Sequence, residues 1–500
     1  MHQVKTTPQQ AQPGGRSRWL ALYVLCTGML MIVLDATVVN VALPSIQDDL
    51  GFSASGLAWV VNSYLIAFAG LLLLAGRLGD LVGRRNVLLA GLAVFTLASL
   101  LCGLATSQAM LVGARFLQGV GGAMTSAVIL GMIVTMFPER REQAKALGVY
   151  GFVASAGGSV GLLAGGVLTQ SINWHWIFFV NLPIGAATAV FATRLVSADE
   201  GIGLRQGADV PGALLVTGAL MLGVYTIVGP AATHGWGSGG ALRLGGLTAV
   251  LLVAFVAREA TAPRPLVPLR IFRSRNVSGT NAIQILIVAG MFATFFLGSL
   301  YLQRILGYDA LQIGLAFLPA TLVMGVLSLR YSEWLIMRFG PRPPMLTGLV
   351  LIALSLALFA RAPVDGDYAA HVLPVMLLLG VGAGISFPAL VTVAMADVAP
   401  ADAGLASGLV NTTAQAGGAL GLAVLATLSA SRTTALLAGG RSTPSALTGG
   451  YHLAFWIAAA LVLSSATVAA LVLRPTRHAA HVEHAVDDVA TGAACCAEPA

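Results

Sequence analysis

The chain has 500 residues, 57% of them hydrophobic and only 9% charged. A soluble domain carries roughly 25% charged residues, so this composition excludes a water-soluble protein and points to a chain immersed in a bilayer. The formal charge of +7 is scattered in short clusters between apolar runs, without a basic patch interleaved with aromatics, which argues against a nucleic-acid partner.

The first eighteen residues, with Lys5, Arg16 and Arg18, form a polar N-terminal tail. The apolar run that follows is too long for a cleaved signal peptide and is expected to remain as a first span. Runs of about 20 apolar residues, the length of a membrane-crossing helix, begin near Trp19, Gly56, Asn86, Ala109, Lys145 and Trp174. Two more begin near Val210 and Ala241, and a last group near Asn276, Leu311, Met345, Ala369, Leu405 and Tyr451. The pattern is six, two and six. The spans must be helices, because lipid cannot satisfy an open strand edge. The expected organisation is a tail (1–18), a six-helix bundle (19–200), a two-helix insert (201–260), a second six-helix bundle (261–475) and a disordered tail (476–500).

Charge placement tests that count independently. With the N-terminus in the cytoplasm, most Lys and Arg fall on the cytoplasmic side, as the positive-inside rule requires. Only Arg243, Arg304, Arg361, Arg432 and Arg441 fall outside, and Arg115 lies within a span. Both termini are therefore expected in the cytoplasm. The middle pair of runs is the weakest part of the count, although removing both would leave every other loop on its side.

Four Cys give no disulfide framework: Cys26 and Cys102 lie in apolar runs, and Cys495 and Cys496 end the tail. His478, His481 and His484 at spacing three read as tail sequence more readily than as a metal site. Neither clustered metal ligands nor a nucleophile–base pair appears in the spans, and no phosphate-binding loop is present. No cofactor is expected, and any work done must draw on an ion gradient.

Between the second and third spans stands Gly76-Arg77-Leu78-Gly79-Asp80-Leu81-Val82-Gly83-Arg84-Arg85. The glycines let two helix ends approach closely, and Asp80 is placed to accept from N–H groups at a helix start, where the dipole favours an anion. This segment closely resembles motif A, the cytoplasmic signature of the major facilitator superfamily. A worn second copy, Arg338-Phe339-Gly340-Pro341-Arg342, follows the tenth span, with Met337 where the acid belongs. A repeat in two halves is the pattern of such transporters.

Further stretches are similar to the fourteen-span multidrug:proton antiporter branch of that superfamily. Leu34-Asp35-Ala36-Thr37 through Asn40 to Pro44 resembles its first-helix signature. Arg115-Phe116-Leu117-Gln118-Gly119 resembles motif B, whose Arg is implicated in proton coupling. Trp174-His175-Trp176 through Asn181-Leu182-Pro183 is branch-like, with His175 where Arg is usual, and so is Asn411-Thr412-Thr413-Ala414-Gln415. In the fifth span, Gly157, Gly161 and Gly165 share one helix face, with Gly158 and Gly166 beside them. This resembles motif C of exporters, although Leu162 stands where that motif has Pro. The resemblance covers essentially all of Trp19 to Leu473.

The resemblance implies an all-α membrane protein with the major facilitator fold, two six-helix bundles and a two-helix insert. It also implies proton-driven efflux of a drug-like or antibiotic compound across a bacterial cytoplasmic membrane. The partners are then a small molecule, protons and lipid; the nearest alternative is a proton-coupled uptake symporter. A carboxylate inside a span is costly and marks a functional site by default. Asp35 and Arg115 fall at comparable depth and are the expected coupling pair, the alternative being a structural ion pair or helix-end cap. Asn40, Gln118, Asn411 and Gln415 are candidates to line a central cavity, with interhelical hydrogen bonding an equal explanation. Gly76, Gly79, Asp80, Gly83, Arg84 and Arg85 are the expected conformational latch, and Gly157, Gly161, Gly165 and Gly166 the glycine ladder.

Overall fold

The computed structural model describes residues 15–473, except 54, 138, 200, 202, 204–208, 264 and 397–402. The C-terminal tail, with His478, His481, His484, Cys495 and Cys496, lies outside the described residues, as do Lys5 and most of the N-terminal tail. So do Arg205, Arg264, Arg474 and Arg477 of the charge pattern.

Fourteen long helices follow one another among the described residues. The first six are α1 (Gly15–Leu50), α2 (Ala58–Val82), α3 (Arg84–Gly103), α4 (Gln108–Met136), α5 (Arg140–Ser171) and α6 (Trp176–Leu195). Next come α7 (Val210–His234) and α8 (Gly239–Thr261). The last six are α9 (Arg275–Arg304), α10 (Ala310–Phe339), α11 (Arg342–Phe359), α12 (Tyr368–Ala396), α13 (Ala403–Ala438) and α14 (Thr443–Val472). Thirteen have the length and hydropathy of a membrane span; α5 is long enough, but its described apolar stretch is the shorter Val160–Ser171. The six-two-six grouping read from the apolar runs matches this order.

Helix ends are set by local chemistry. Ser107, Asp209, Ser238, Ser274 and Asp309 cap the helices that follow them, each accepting a hydrogen bond from a backbone N–H. Asp309 and Gln312 form a reciprocal capping box, so Asp309 is a helix-end acid as its sequence context implies. Three of the helices widen locally to π geometry, at Ile227–Ala231 around Pro230, Leu327–Tyr331 and Tyr368–Val372.

Helices α1–α6 pack on one another, and α9–α14 do the same. The two bundles touch mainly through α5 against α10 and α2 against α13. Close approach depends on glycine. A Cβ at Gly314 of α10 would lie 2.5 Å from the Leu162 carbonyl oxygen of α5, and one at Gly408 of α13 would lie 2.8 Å from Leu73 of α2. Lipid offers no hydrophobic drive between helices, so such small-residue contacts carry the packing.

The insert docks through α7, where a Cβ at Gly70 of α2 would lie 2.1 Å from Thr217 Oγ1. By contrast α8 is almost bare, with Leu242, Val250, Val253 and Val256 exposed as a lipid-facing surface. Its end carries an acid that the sequence did not single out: Glu259 is buried and accepts from the Val267 N–H at 2.8 Å. Beside it Arg258 Nε donates to the Asp209 carboxylate at 3.0 Å, tying the two insert helices together.

Candidate functional site

Asp35 lies on α1, more than two turns before Pro44, and is fully buried. Arg115 lies on α4 and is 1% exposed. The Arg115 guanidinium donates to Asp35 Oδ2 at 2.6 Å through one terminal nitrogen, and through Nε to the Val60 carbonyl of α2 at 3.0 Å. The equal depths read from the sequence thus meet as a contact.

Two carboxamides complete the cluster. Gln118, one turn beyond Arg115 on α4, donates from Nε2 to Asp35 Oδ1 at 2.7 Å and to Ser99 Oγ of α3 at 2.8 Å. Its own Oε1 accepts from Arg115 at 2.7 Å. Asn181 of α6 donates to Asp35 Oδ1 at 3.1 Å. The Arg115 guanidinium also lies 4.5 Å from the ring centre of Tyr64, a cation–π contact. Five helices therefore meet in this cluster, and its carboxylate has three charged or polar donors, from α4 and α6. The Cys102 thiol closes the cluster 3.5 Å from Gln118 Oε1.

Gln118 is not a cavity residue. It is fully buried inside the first bundle because Asp35, Arg115 and Ser99 take up its polar atoms. Asn40 is likewise turned inward, its amide donating to the Ala36 carbonyl of its own helix at 3.1 Å. Asn411 is exposed and Gln415 half-buried on α13. A cavity of about 780 Å³ among the described residues is bordered by Gln47, Thr233, Leu300, Arg304, Ser429 and Tyr451, and none of the four is in its lining. Arg304 of α9 forms an ion pair with Asp48 of α1 at the edge of that cavity and so bridges the two bundles.

The glycine ladder packs against the helix that carries Asp35. Cβ atoms added at Gly157, Gly161 and Gly165 would meet Leu30 at 3.0 Å, Thr37 Oγ1 at 2.0 Å and Val38 at 2.8 Å. Gly166 faces α10 instead, 2.8 Å from the Ala310 carbonyl, and Gly158 faces open space. Leu162, in the place of the missing Pro, is buried and leaves α5 continuous.

At the opposite end of α2, the latch residues form a compact turn. Gly83 has φ +95°, which favours glycine, and separates α2 from α3. Arg84 donates to Asp80 Oδ1 at 3.2 Å and to the Gly131 carbonyl of α4 at 3.2 Å, so it spans three helices. A Cβ at Gly79 would lie 2.7 Å from Val128 of α4, whereas Gly76 has more room. Among the described residues Asp80 takes no N–H group at the start of α3. Asp199, beyond the end of α6, accepts those of Arg84 and Arg85 at 2.8 and 3.1 Å, leaving Asp80 free to pair with Arg84.

The worn copy in the second bundle keeps part of this design. Gly340 has φ +74°, Arg338 lies over the rings of Trp334 and Phe339, and Met337 is 81% exposed. His175 stacks on Trp174 with ring centres 3.8 Å apart, and Trp174 donates to Asp49 at 2.9 Å. Sequence reasoning missed Asn181, Ser99 and Asp199 as site residues. Asn181 had a signal, since it lies in the branch-like stretch through Pro183; the other two had none.

Comparison with known proteins agrees with the geometry. The family model described as Major Facilitator Superfamily matches residues 25–422. The puromycin resistance protein of Streptomyces alboniger is 39% identical, over 93% of each chain. The cephamycin export protein of Amycolatopsis lactamdurans is 42% identical, over 83% of this chain and 85% of that one. Among solved structures, a bacterial homologue of the human lysosomal transporter Spinster superposes with a TM-score of 0.64 at 17% identity. It covers 91% of this chain, which covers 97% of it, and so shares the fold. With a matching family model, close relatives over most of its length and the same helical architecture, the chain belongs to the major facilitator superfamily of membrane transporters.

Proposed function

We propose that this protein exports a drug-like or antibiotic compound across the cytoplasmic membrane in exchange for protons, with both termini in the cytoplasm. The observation that carries the reading is the sealed Asp35–Arg115 pair at the centre of the first bundle. Relatives over most of its length that are named for antibiotic resistance and export support the direction and the class of cargo.

The pair has the physics that a coupling site needs. Buried together, the two charges compensate each other, while protonating Asp35 in place would leave Arg115 buried without a counter-charge. Proton uptake is therefore tied to a rearrangement that lets water reach the cluster. That rearrangement loosens the helices of the first bundle that close the cluster, and it accompanies a rocking of one bundle against the other in which α5 and α10, and α2 and α13, part and rejoin. Asp35 has no solvent-exposed surface in this conformation, so a cationic cargo competes with the proton only after the bundles move.

The test uses inverted membrane vesicles energised by respiration, with puromycin and a broader drug panel as probes. Accumulation inside the vesicles that collapses on adding an uncoupler is expected. Uptake into right-side-out vesicles that collapses in the same way would replace export by symport.

A further inference from the structure

The segment that leaves α6 folds back onto the latch and is held there by four features. Asp199 Oδ2 accepts from the Arg84 N–H at 2.8 Å, and Oδ1 from the Arg85 N–H at 3.1 Å. The Gly203 N–H donates to the Leu81 carbonyl at 3.0 Å. A Cβ at Gly201 would lie 2.1 Å from that same carbonyl oxygen, and one at Gly83 would lie 2.5 Å from the Asp199 carbonyl oxygen. The Arg85 guanidinium reaches the Thr193 carbonyl near the end of α6.

We propose that Asp199 is a positioning residue of the latch, clamping the connection between the first bundle and the insert onto the start of α3. The inference deepens the transport reading above and rests on it for its transport arm. A carboxylate that caps a helix from 115 residues away fixes where that helix begins relative to its neighbours. Here the fixed residue is Arg84, whose side chain holds Asp80 of α2 and the Gly131 carbonyl of α4 together. Releasing the backbone of Arg84 lets its guanidinium swing, and the end of α2 loses its reference to α4. The same helix, α2, touches the second bundle through Leu73, two turns before Asp80, against Gly408 of α13. Asp199 thereby acts, through Arg84 and α2, on whether the bundles are closed at this end.

Cross-linking of Leu73→Cys with Gly408→Cys reads that closure, in full-length protein lacking its own cysteines. Asp199→Ala is expected to slow the oxidative cross-link roughly fivefold, the scale on which losing a cap acts. Asp199→Asn, which keeps one acceptor oxygen, falls between. Gly201→Ala, which presses on the Leu81 carbonyl without touching the carboxylate, moves the rate in the same direction. In vesicles, puromycin export falls in kcat with KM unchanged. Parental cross-linking by folded Asp199→Ala protein, with or without a lowered melting temperature, would make Asp199 a plain helix cap and overturn the proposal. If Asp199→Ala fails to accumulate, Asp199→Asn and Gly201→Ala decide, and parental rates in both overturn it. Should the parent protein move neither puromycin nor any drug of the broader panel, the export reading fails while cross-linking still decides the role of Asp199.

Discussion

Arg85 and Arg342 make the same contact in the two bundles. Each stands two residues beyond a positive-φ glycine, Gly83 or Gly340, and donates to a carbonyl near the end of its bundle's last helix, Thr193 of α6 or Ala470 of α14. The second copy has lost its acid but kept this tie. Arg85→Ala and Arg342→Ala are each expected to lower stability by about 1 kcal/mol, the net worth of such a bond. Only the first should also slow transport, because only it adjoins the Asp80–Arg84 bridge. Thermal unfolding in detergent and drug export by the two variants separate the effects.

Asp35→Asn should abolish proton-coupled export, with a loss of more than about tenfold. It leaves Arg115 buried without a counter-charge, and breaking a buried pair costs about 3–5 kcal/mol. Asp35→Glu, which keeps the charge, should retain part of the activity. Export measured against pH in energised vesicles distinguishes them; an Asn variant with its rate and pH dependence intact would make the pair structural.

The glycine ladder carries its own control. Gly161→Ala places a methyl group 2.0 Å from Thr37 Oγ1, an overpacking that costs roughly 1–3 kcal/mol and presses on the helix bearing Asp35. Gly158→Ala meets nothing within 4 Å. The first should lose most transport while still reaching the membrane, and the second should export at the parental rate. Equal rates for the two would separate the ladder from the transport cycle.

Asp80→Asn tests the latch. Its partner is half-exposed, and surface pairs of this kind contribute about 0–1 kcal/mol. Melting should therefore barely move, while turnover falls sharply and bound substrate remains detectable. Parental turnover would leave the Asp80–Arg84 bridge without a role in transport.

Orientation is checked by labelling. A cysteine placed at Ser238, between α7 and α8, should react with an impermeant reagent from outside whole cells, and one at Arg273 should not. The reverse pattern would invert the assigned sides.

Much of this architecture was legible because bilayers write in long runs. Twenty apolar residues announce a helix, and the arginines between runs supply the expected direction that the labelling test checks. The pairing of Asp35 with Arg115 was readable because rise per residue converts sequence position into depth. Ser99 and Asp199 were not readable, since nothing local distinguishes a hydroxyl or a loop acid that meets its partner across a bundle, and Asn181 was marked only by the branch-like stretch in which it lies. For Gln118 the sequence left two readings equal, because composition marks a polar residue in a span and only packing decides whether it looks into a cavity or, as here, at other polar groups. The bridge between Asp48 and Arg304 is hidden further, because it joins helices from opposite halves of the chain.

The thiol of Cys102 has a practical consequence. It is fully buried and sits against Gln118, inside the same shell as Asp35. A small thiol reagent reaches it only while that shell is open to water, so the rate of its modification is a clock for the opening itself. Once Cys26, Cys495 and Cys496 are replaced by serine, the protein reports the hydration of its own interior without an introduced label. Drugs, an imposed proton gradient or a latch variant can then be ranked by how often each one lets water in.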